Sequence, residues 1–244
     1  MPAHTCTIAC VSANAAFTNG ANLIETGNAD VIVIGGVESF SDADIKVSKR
    51  FRRFILDMTM YHKPKSFKDT LRHLRGMTPL DFVLPERPAV SEYATGLLMG
   101  QTAEILAKRM GISRQEQDEF AVLSHQRALK AQEDGVFRKE VVPVVVPGKD
   151  AVVKTDNGPK KETTMDKVSK LKGSFNKKYG SVTAANSSFL TDGGSAVLVM
   201  SEDKAKDLGL KPKAFLASYA YTGQDLVEEL LLGPAFSIPA ALGK

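Results

Sequence analysis

Residues 30–36 read DVIVIGG, an unbroken β-branched run that follows a helical pattern after only a short turn. From Cys10 to Glu25 the residues Ala13, Ala16, Phe17, Gly20, Leu23 and Ile24 recur at helical spacing, and Gly27 stands where such a helix stops. A short Val/Ile run without polar alternation predicts a strand buried on both faces. Helix followed by buried strand points to a parallel α/β sheet, and Ala and Gly along the helix face permit a close approach to it.

Between residues 42 and 90 the character changes. Phe51, Phe54, Ile55 and Met58 are spaced i, i+3, i+4, i+7, and Phe67, Leu71 and Leu74 are spaced i, i+4, i+7, which predicts two amphipathic helices. Residues 46–75 hold ten Lys and Arg against Asp57 and Asp69, a net +8 in a chain whose total is +4. A positive field confined to one segment points to a local anionic partner. The apolar stripes imply an apolar cover as well, either the protein's own core or a membrane surface. His62 and His73 read as surface groups of this segment, and "GMTPLDFVLPERP", with three prolines, reads as an extended loop.

Residues 92–110 resume a helical pattern. Ser113 and Glu116 fit a capping box, and Phe120, Leu123, Ala128 and Ala131 continue down one face to a stop at Gly135. His125, mid-helix among charged neighbours, reads as solvated. "VVPVVV" is an edge strand because Pro143 cannot donate to a ladder, and residues 147–163 form a polar excursion. "SAVLVMSE" reads as a second buried strand followed by a short helix to Gly209, and "AFLASYAYTG" as the start of a further strand.

With 43% hydrophobic and 25% charged residues the composition is that of a globular protein, and the longest apolar runs fall far short of the roughly 18 residues that span a membrane. No signal or transit peptide is visible. Two cysteines are too few for a disulfide framework, and no histidine lies at metal-ligand spacing from them. A reducing compartment and no metal are expected.

Cys10 is the candidate nucleophile. A cysteine in the first turn of a helix meets unpaired N–H groups and the positive end of the macrodipole, which favour thiolate over thiol. A free cysteine is also a common small core residue, and position alone leaves both readings open. Cys6 precedes the helix and gains less. "TAANSSFLTDGG", residues 183–194, gathers small polar residues before a strand, which makes either a loop whose backbone approaches a ligand or an ordinary connection.

Taken in order, "CTIACVSANAAFTNG", "VIVIGGVESFSD", "MGQTAEILAKRMGISRQEQDEFAVLSHQRALKAQEDG", "YGSVTAANSSFLTDGGSAVLVMSE" and "LLLGPAFSIPA" resemble the thiolase family over essentially the whole chain. The resemblance implies an α/β, thiolase-like layered fold, incomplete in these residues, with a largely helical inserted loop domain. It assigns residues 1–41 to part of the N-terminal core, 42–180 to the loop domain, 181–209 to a return to the core and 210–244 to the start of a truncated C-terminal domain. It implies an acyltransferase that cleaves 3-ketoacyl-CoA to acetyl-CoA and a shortened acyl-CoA in fatty-acid β-oxidation, through a covalent acyl-cysteine. Cys10 is then the nucleophile, Ser188 lies beside the pantetheine arm of CoA, and Phe175 of "KGSF" lines the same pocket. Coenzyme A is a co-substrate, and neither cofactor nor metal is implied.

The implied partners are acyl-CoA and CoA, a second copy in a homodimer, an α subunit as in the family's trifunctional members, and an anionic membrane surface met by residues 46–75, with no nucleic acid. The implied location is the matrix side of the inner mitochondrial membrane. The family's Gly-His-Pro histidine, its second cysteine and its Asn-Glu-Ala-Phe segment do not occur in these 244 residues. The resemblance therefore implies a partial sequence that lacks its base and proton shuttle and turns over negligibly by itself. The competing function is a non-catalytic membrane-docking or subunit-assembly module in which Cys10 is inert.

Overall fold

The computed structural model describes residues 2–42, 46–61, 66–86 and 91–244. In chain order these form α1 (Ser12–Glu25), β1 (Val31–Glu38), β2 (Lys46–Val47), α2 (Lys49–Leu56) continued by a π-helical turn, α3 (Phe67–Leu74), α4 (Pro79–Val83), β3 (Pro85–Glu86), α5 (Met99–Met110), α6 (Arg114–Glu133), β4 (Val144–Val145), β5 (Val152–Val153), α7 (Met165–Val168), β6 (Gly193–Met200), α8 (Glu202–Asp207) and α9 (Gly233–Leu242). They divide into two compact units, one of Met1–Gly36, Ser91–Leu190 and Gly194–Lys244, the other of Val37–Val90 and Thr191–Gly193.

In the first unit α1 packs onto β1 through its small residues. A β-carbon added at Gly20 would lie 2.7 Å from Cδ1 of Ile34, and one at Gly36 would lie 3.6 Å from the Ala13 β-carbon. The bare Gly20 backbone thus seats the buried Ile34, a side chain whose burial stabilises by about 1.5–3 kcal/mol. β1 pairs with β6. Gly35 lies against the Ser195 carbonyl and Gly194 against the Gly36 carbonyl, so one chain index falls as the other rises. The pair therefore runs antiparallel, where a parallel sheet was expected.

Burial on both faces is also corrected. Along β1 the side chains alternate: Ile32, Ile34 and Gly36 are covered, whereas Val33 is 71% exposed on the opposite face. Most of β6 is exposed as well. The reason is the two-stranded sheet, which has α1 on one face and no neighbour over the other among the described residues.

α5 ends at Gly111, whose φ of 68° lets the chain reverse, and Ser113 then caps α6 with Glu116 as its capping-box partner. α5 starts only at Met99; upstream of it Glu92 folds back to accept hydrogen bonds from the Ala94 and Thr95 N–H groups. The buried face of α6 differs from the expected one: Asp118, Ala121 and Val122 are buried and Phe120 is 72% exposed. The segment from α7 to Asn186 packs on the Asp118 side, which decides the face. His125 is not free in solvent, because its Nδ1 accepts a 3.1 Å hydrogen bond from the Lys160 N–H and its ring meets Phe189 edge-on. That contact ties the 147–163 excursion to α6. β4 and β5 pair antiparallel at the base of the excursion.

Residues 214–223 form no strand. They run along α1 instead, where Tyr221 Oη lies 2.7 Å from Thr18 Oγ1 and Tyr219 Oη donates to Asn22 Oδ1 at 2.8 Å.

In the second unit both basic amphipathic helices form. Ser48 accepts from the Phe51 N–H to cap α2, and Phe51 packs on Phe82 with ring centroids 5.0 Å apart. The expected extended loop contains α4: Pro79 occupies the first helical position, where its missing N–H costs nothing, and Asp81 accepts from the Thr78 N–H at 2.8 Å. That hydrogen bond holds the Asp81 carboxyl below its ordinary range. β2 pairs with β3. On α3, Phe67 is 79% exposed and Leu71 is exposed beside Lys68 and Arg72, so this stripe is not core. His73 is half-buried, its Nδ1 2.8 Å from the Asp69 carbonyl, while His62, Lys63 and Lys65 lie outside the described residues. No helix among the described residues is long and apolar enough to cross a membrane.

Candidate active site

Cys10 lies two residues before α1, not in its first turn. Residues 8–12 form a stitched turn. The Val11 N–H donates to the Ile8 carbonyl at 3.1 Å, Ser12 Oγ donates to the Ala9 carbonyl at 2.7 Å, and the Ile8 N–H donates back to Ser12 Oγ at 2.8 Å. Ala9 takes φ of 42°, a left-handed conformation that costs a non-glycine residue about 1–3 kcal/mol and persists only where surrounding bonds impose it. Cys10 follows directly and is exposed. The end of α1 that follows it has no side-chain cap and no acidic residue in its first turn. Its partial positive charge, about half an elementary charge, is therefore not neutralised locally.

Cys6 is half-buried, with Sγ donating to the Ser12 carbonyl at 3.6 Å. Both cysteines are free. Among the described residues no side chain hydrogen-bonds to the Cys10 thiol, and no cluster of His, Cys, Asp and Glu could hold a metal ion. A cleft of about 430 Å³ opens beside the first turns of α1, lined by Ala13, Phe17, Ile34, Val197 and Tyr219 among others, and does not include Cys10.

Ser188 and Phe175 come from neighbouring loops that α5 and α6 hold in place. Glu104 of α5 accepts hydrogen bonds from the Ser181 N–H at 2.9 Å and the Val182 N–H at 3.1 Å. From α6, Asp118 is 1% exposed; its Oδ2 accepts from Arg114 Nε at 2.7 Å and its Oδ1 from Asn186 Nδ2 at 3.0 Å. Asn186 also accepts from the Thr183 N–H at 2.7 Å, and Ser187 Oγ donates to the Thr183 carbonyl at 2.6 Å. The Arg114 guanidinium reaches onward to the carbonyls of Val168 and Leu171. A buried ion pair is tolerated only when its remaining hydrogen-bonding capacity is filled, and here it is.

The loop carrying Phe175 joins this assembly where the Ser174 N–H donates to the Val182 carbonyl at 2.8 Å. Ser188 is exposed at the end of the tethered loop. Ser188 and Phe175 are thus on adjoining, anchored segments, whereas no hydrogen bond or ring contact among the described residues links Cys10 to either. Asp118, Glu104 and Asn186 carry no motif that marks them as anchors of this loop. The signal for Asp118 is an acidic residue three and four positions before Ala121 and Val122, on the same helix face.

Residues 1–203 match the family profile described as thiolase, N-terminal domain. The chain is 49% identical over 243 residues to the human protein named trifunctional enzyme subunit beta, mitochondrial, covering 100% of this chain and 50% of that protein. It is 45% identical to a probable 3-ketoacyl-CoA thiolase of Caenorhabditis elegans, covering 53% of it. Among solved structures, the acetyl-CoA acetyltransferase of Bacillus anthracis superposes with a TM-score of 0.75 at 33% identity, over 96% of this chain and 54% of that one. The chain spans about half the length of the curated relatives it matches. The fold is that of the thiolases, incomplete, and by its N-terminal domain the chain belongs to the thiolase family.

Proposed function

We propose that the protein is the nucleophile-bearing part of a 3-ketoacyl-CoA thiolase, an acyltransferase of fatty-acid β-oxidation. The Cys10 thiolate adds to the ketone carbon of a 3-ketoacyl-CoA, and the bond between C2 and C3 breaks. Acetyl-CoA leaves once its enolate takes a proton, and the thiol of free CoA then takes the shortened acyl group from sulfur. The observation that carries this reading is the exposed Cys10, held at the apex of a strained turn before the uncapped end of α1. Ser188 and Phe175 line the pantetheine arm of CoA.

Residues 1–41 and 181–209 belong to the N-terminal core in this reading, 42–180 to the inserted loop domain and 210–244 to the start of the C-terminal domain. The histidine and second cysteine that move protons elsewhere in the family have no counterparts in these 244 residues. In this reading Cys10 is the residue that takes the acyl group.

The mitochondrial relatives support a mitochondrial location. A homodimer, an α-type partner subunit and the matrix face of the inner membrane belong to the same proposal. For the membrane, support comes from α3, where exposed Phe67 and Leu71 alternate with Lys68 and Arg72, the pattern of a helix that lies in an anionic headgroup layer.

Competition against alkylation tests the role of Cys10. Preincubation with acetyl-CoA is expected to slow iodoacetamide labelling of Cys10 and leave Cys6 labelling unchanged. Equal labelling of Cys10 with and without acetyl-CoA would contradict the reading.

A further inference from the structure

Phe175 owes its place to a residue with no side chain. Gly100 is the second residue of α5 and has an ordinary helical backbone, so no positive φ demands glycine there. Glycine inside a helix is destabilising relative to alanine, and its presence needs a reason. A β-carbon at Gly100 would collide with Cε2, Cζ and Cδ2 of the Phe175 ring. The ring lies flush on the Gly100 backbone, in space that any other residue would fill.

The loop gives that ring little freedom to sit elsewhere. The Ser174 N–H is bonded to the Val182 carbonyl at 2.8 Å, the Gly180 N–H to the Asn176 carbonyl at 2.8 Å, and Asn176 Oδ1 accepts from the Lys178 and Tyr179 N–H groups. One side of the ring is seated on α5 and 39% of the residue remains exposed. A planar apolar face held from behind and open in front suits an extended, flexible ligand chain.

We propose that Gly100 is a positioning residue for coenzyme A: its empty side-chain position lets Phe175 present its ring to the pantetheine arm. The proposal rests on the reading of Phe175 as part of the CoA pocket. Gly100 acts only through that ring, so its effect disappears when the ring is absent.

The test is isothermal titration of CoA into the purified 244-residue chain and three variants, Gly100→Ala, Phe175→Ala and the double variant. Each single substitution is expected to weaken CoA binding about five- to tenfold, the loss of one well-placed aromatic contact. In the Phe175→Ala background, Gly100→Ala is expected to change nothing further. Thermal melting adds a change of sign. Gly100→Ala lowers Tm when Phe175 is present and raises it when Phe175 is absent, because only the gain in helix propensity then remains. Gly100→Ala that weakens CoA equally in both backgrounds, or that leaves CoA binding intact while Phe175→Ala weakens it, overturns the proposal. Failure of the unaltered chain to bind CoA, or full binding by Phe175→Ala, instead removes the CoA reading of Phe175, and the proposal falls with it.

Discussion

Asp118 and Asn186 stand 68 residues apart in sequence and share a 3.0 Å hydrogen bond from Asn186 Nδ2 to Asp118 Oδ1. That bond fastens the loop ending in Ser188 to the second turn of α6, and Arg114 fastens the other oxygen of the same carboxylate to the segment around α7. Because Asp118 is buried, removing Arg114 strands a charge where water cannot reach it, whereas removing Asp118 leaves a guanidinium that is 26% exposed. Arg114→Ala is expected to cost about 3–5 kcal/mol in urea denaturation and Asp118→Ala less, since the guanidinium it leaves reaches water. The exposed Lys130–Asp134 pair has the same i, i+4 spacing and the same 2.7 Å separation, yet Asp134→Ala is expected to cost under about 0.5 kcal/mol. Equal costs at the two sites would contradict the account of burial.

The seat of Ile34 on Gly20 yields a coupled pair. Gly20→Ala drives a methyl group to within 2.7 Å of Ile34 Cδ1 and is expected to destabilise by about 1–3 kcal/mol. Ile34→Val removes that Cδ1 atom. In the valine background Gly20→Ala is expected to be neutral or to stabilise by about 0.5–1 kcal/mol through helix propensity. Additive costs measured by denaturant unfolding would show that the two residues do not share the contact.

Glu116 supplies a pH dependence. The backbone N–H of Ser113, followed by its hydroxyl, holds the Glu116 carboxyl below its ordinary value of 4.5. A lowered folded value means that the contribution is complete above about pH 4.5 and is lost as pH falls through the folded value. Glu116→Ala is therefore expected to lower Tm at pH 7 and to differ progressively less from the parent chain below pH 4. A difference that persists undiminished at pH 2.5 would show that the cap does not depend on the ionised carboxylate.

Binding of residues 46–75 to anionic vesicles is expected to weaken with salt, since a Debye length of about 10 Å at 0.1 M shortens to about 3 Å at 1 M. Phe67→Ser is expected to weaken it about tenfold at fixed salt by removing an inserted ring. Flotation of vesicles rich in acidic lipid measures both effects. Binding that ignores both salt and Phe67 would remove the membrane proposal.

Local signals in the sequence were reliable where neighbours three or four residues away decide the outcome. The Ser113–Glu116 cap, the Gly27 and Gly135 stops and the close approach of α1 through Gly20 all form as the residues require. Burial was read less well, because it depends on partners distant in sequence. Val33 is exposed since no element among the described residues covers that face of β1, and Phe120 points away from the side where Asp118 meets Asn186. The turn before α1 likewise placed Cys10 outside the helix, since Ser12 bonds backward to Ile8 and Ala9 instead of letting the helix begin earlier. The motifs that identified the family survived these errors because they are residue patterns and need no burial assignment.

The most direct measurement for the central claim is peptide mapping after incubation of the chain with a medium-chain acyl-CoA. In that exchange the Cys10 thiolate displaces CoA thiolate from the thioester, leaving the acyl group on sulfur. The account predicts one acyl adduct, on the peptide containing Cys10, absent from Cys10→Ser and retained in Cys6→Ser. No adduct on either cysteine, or one that moves to Cys6 with equal yield, would contradict it.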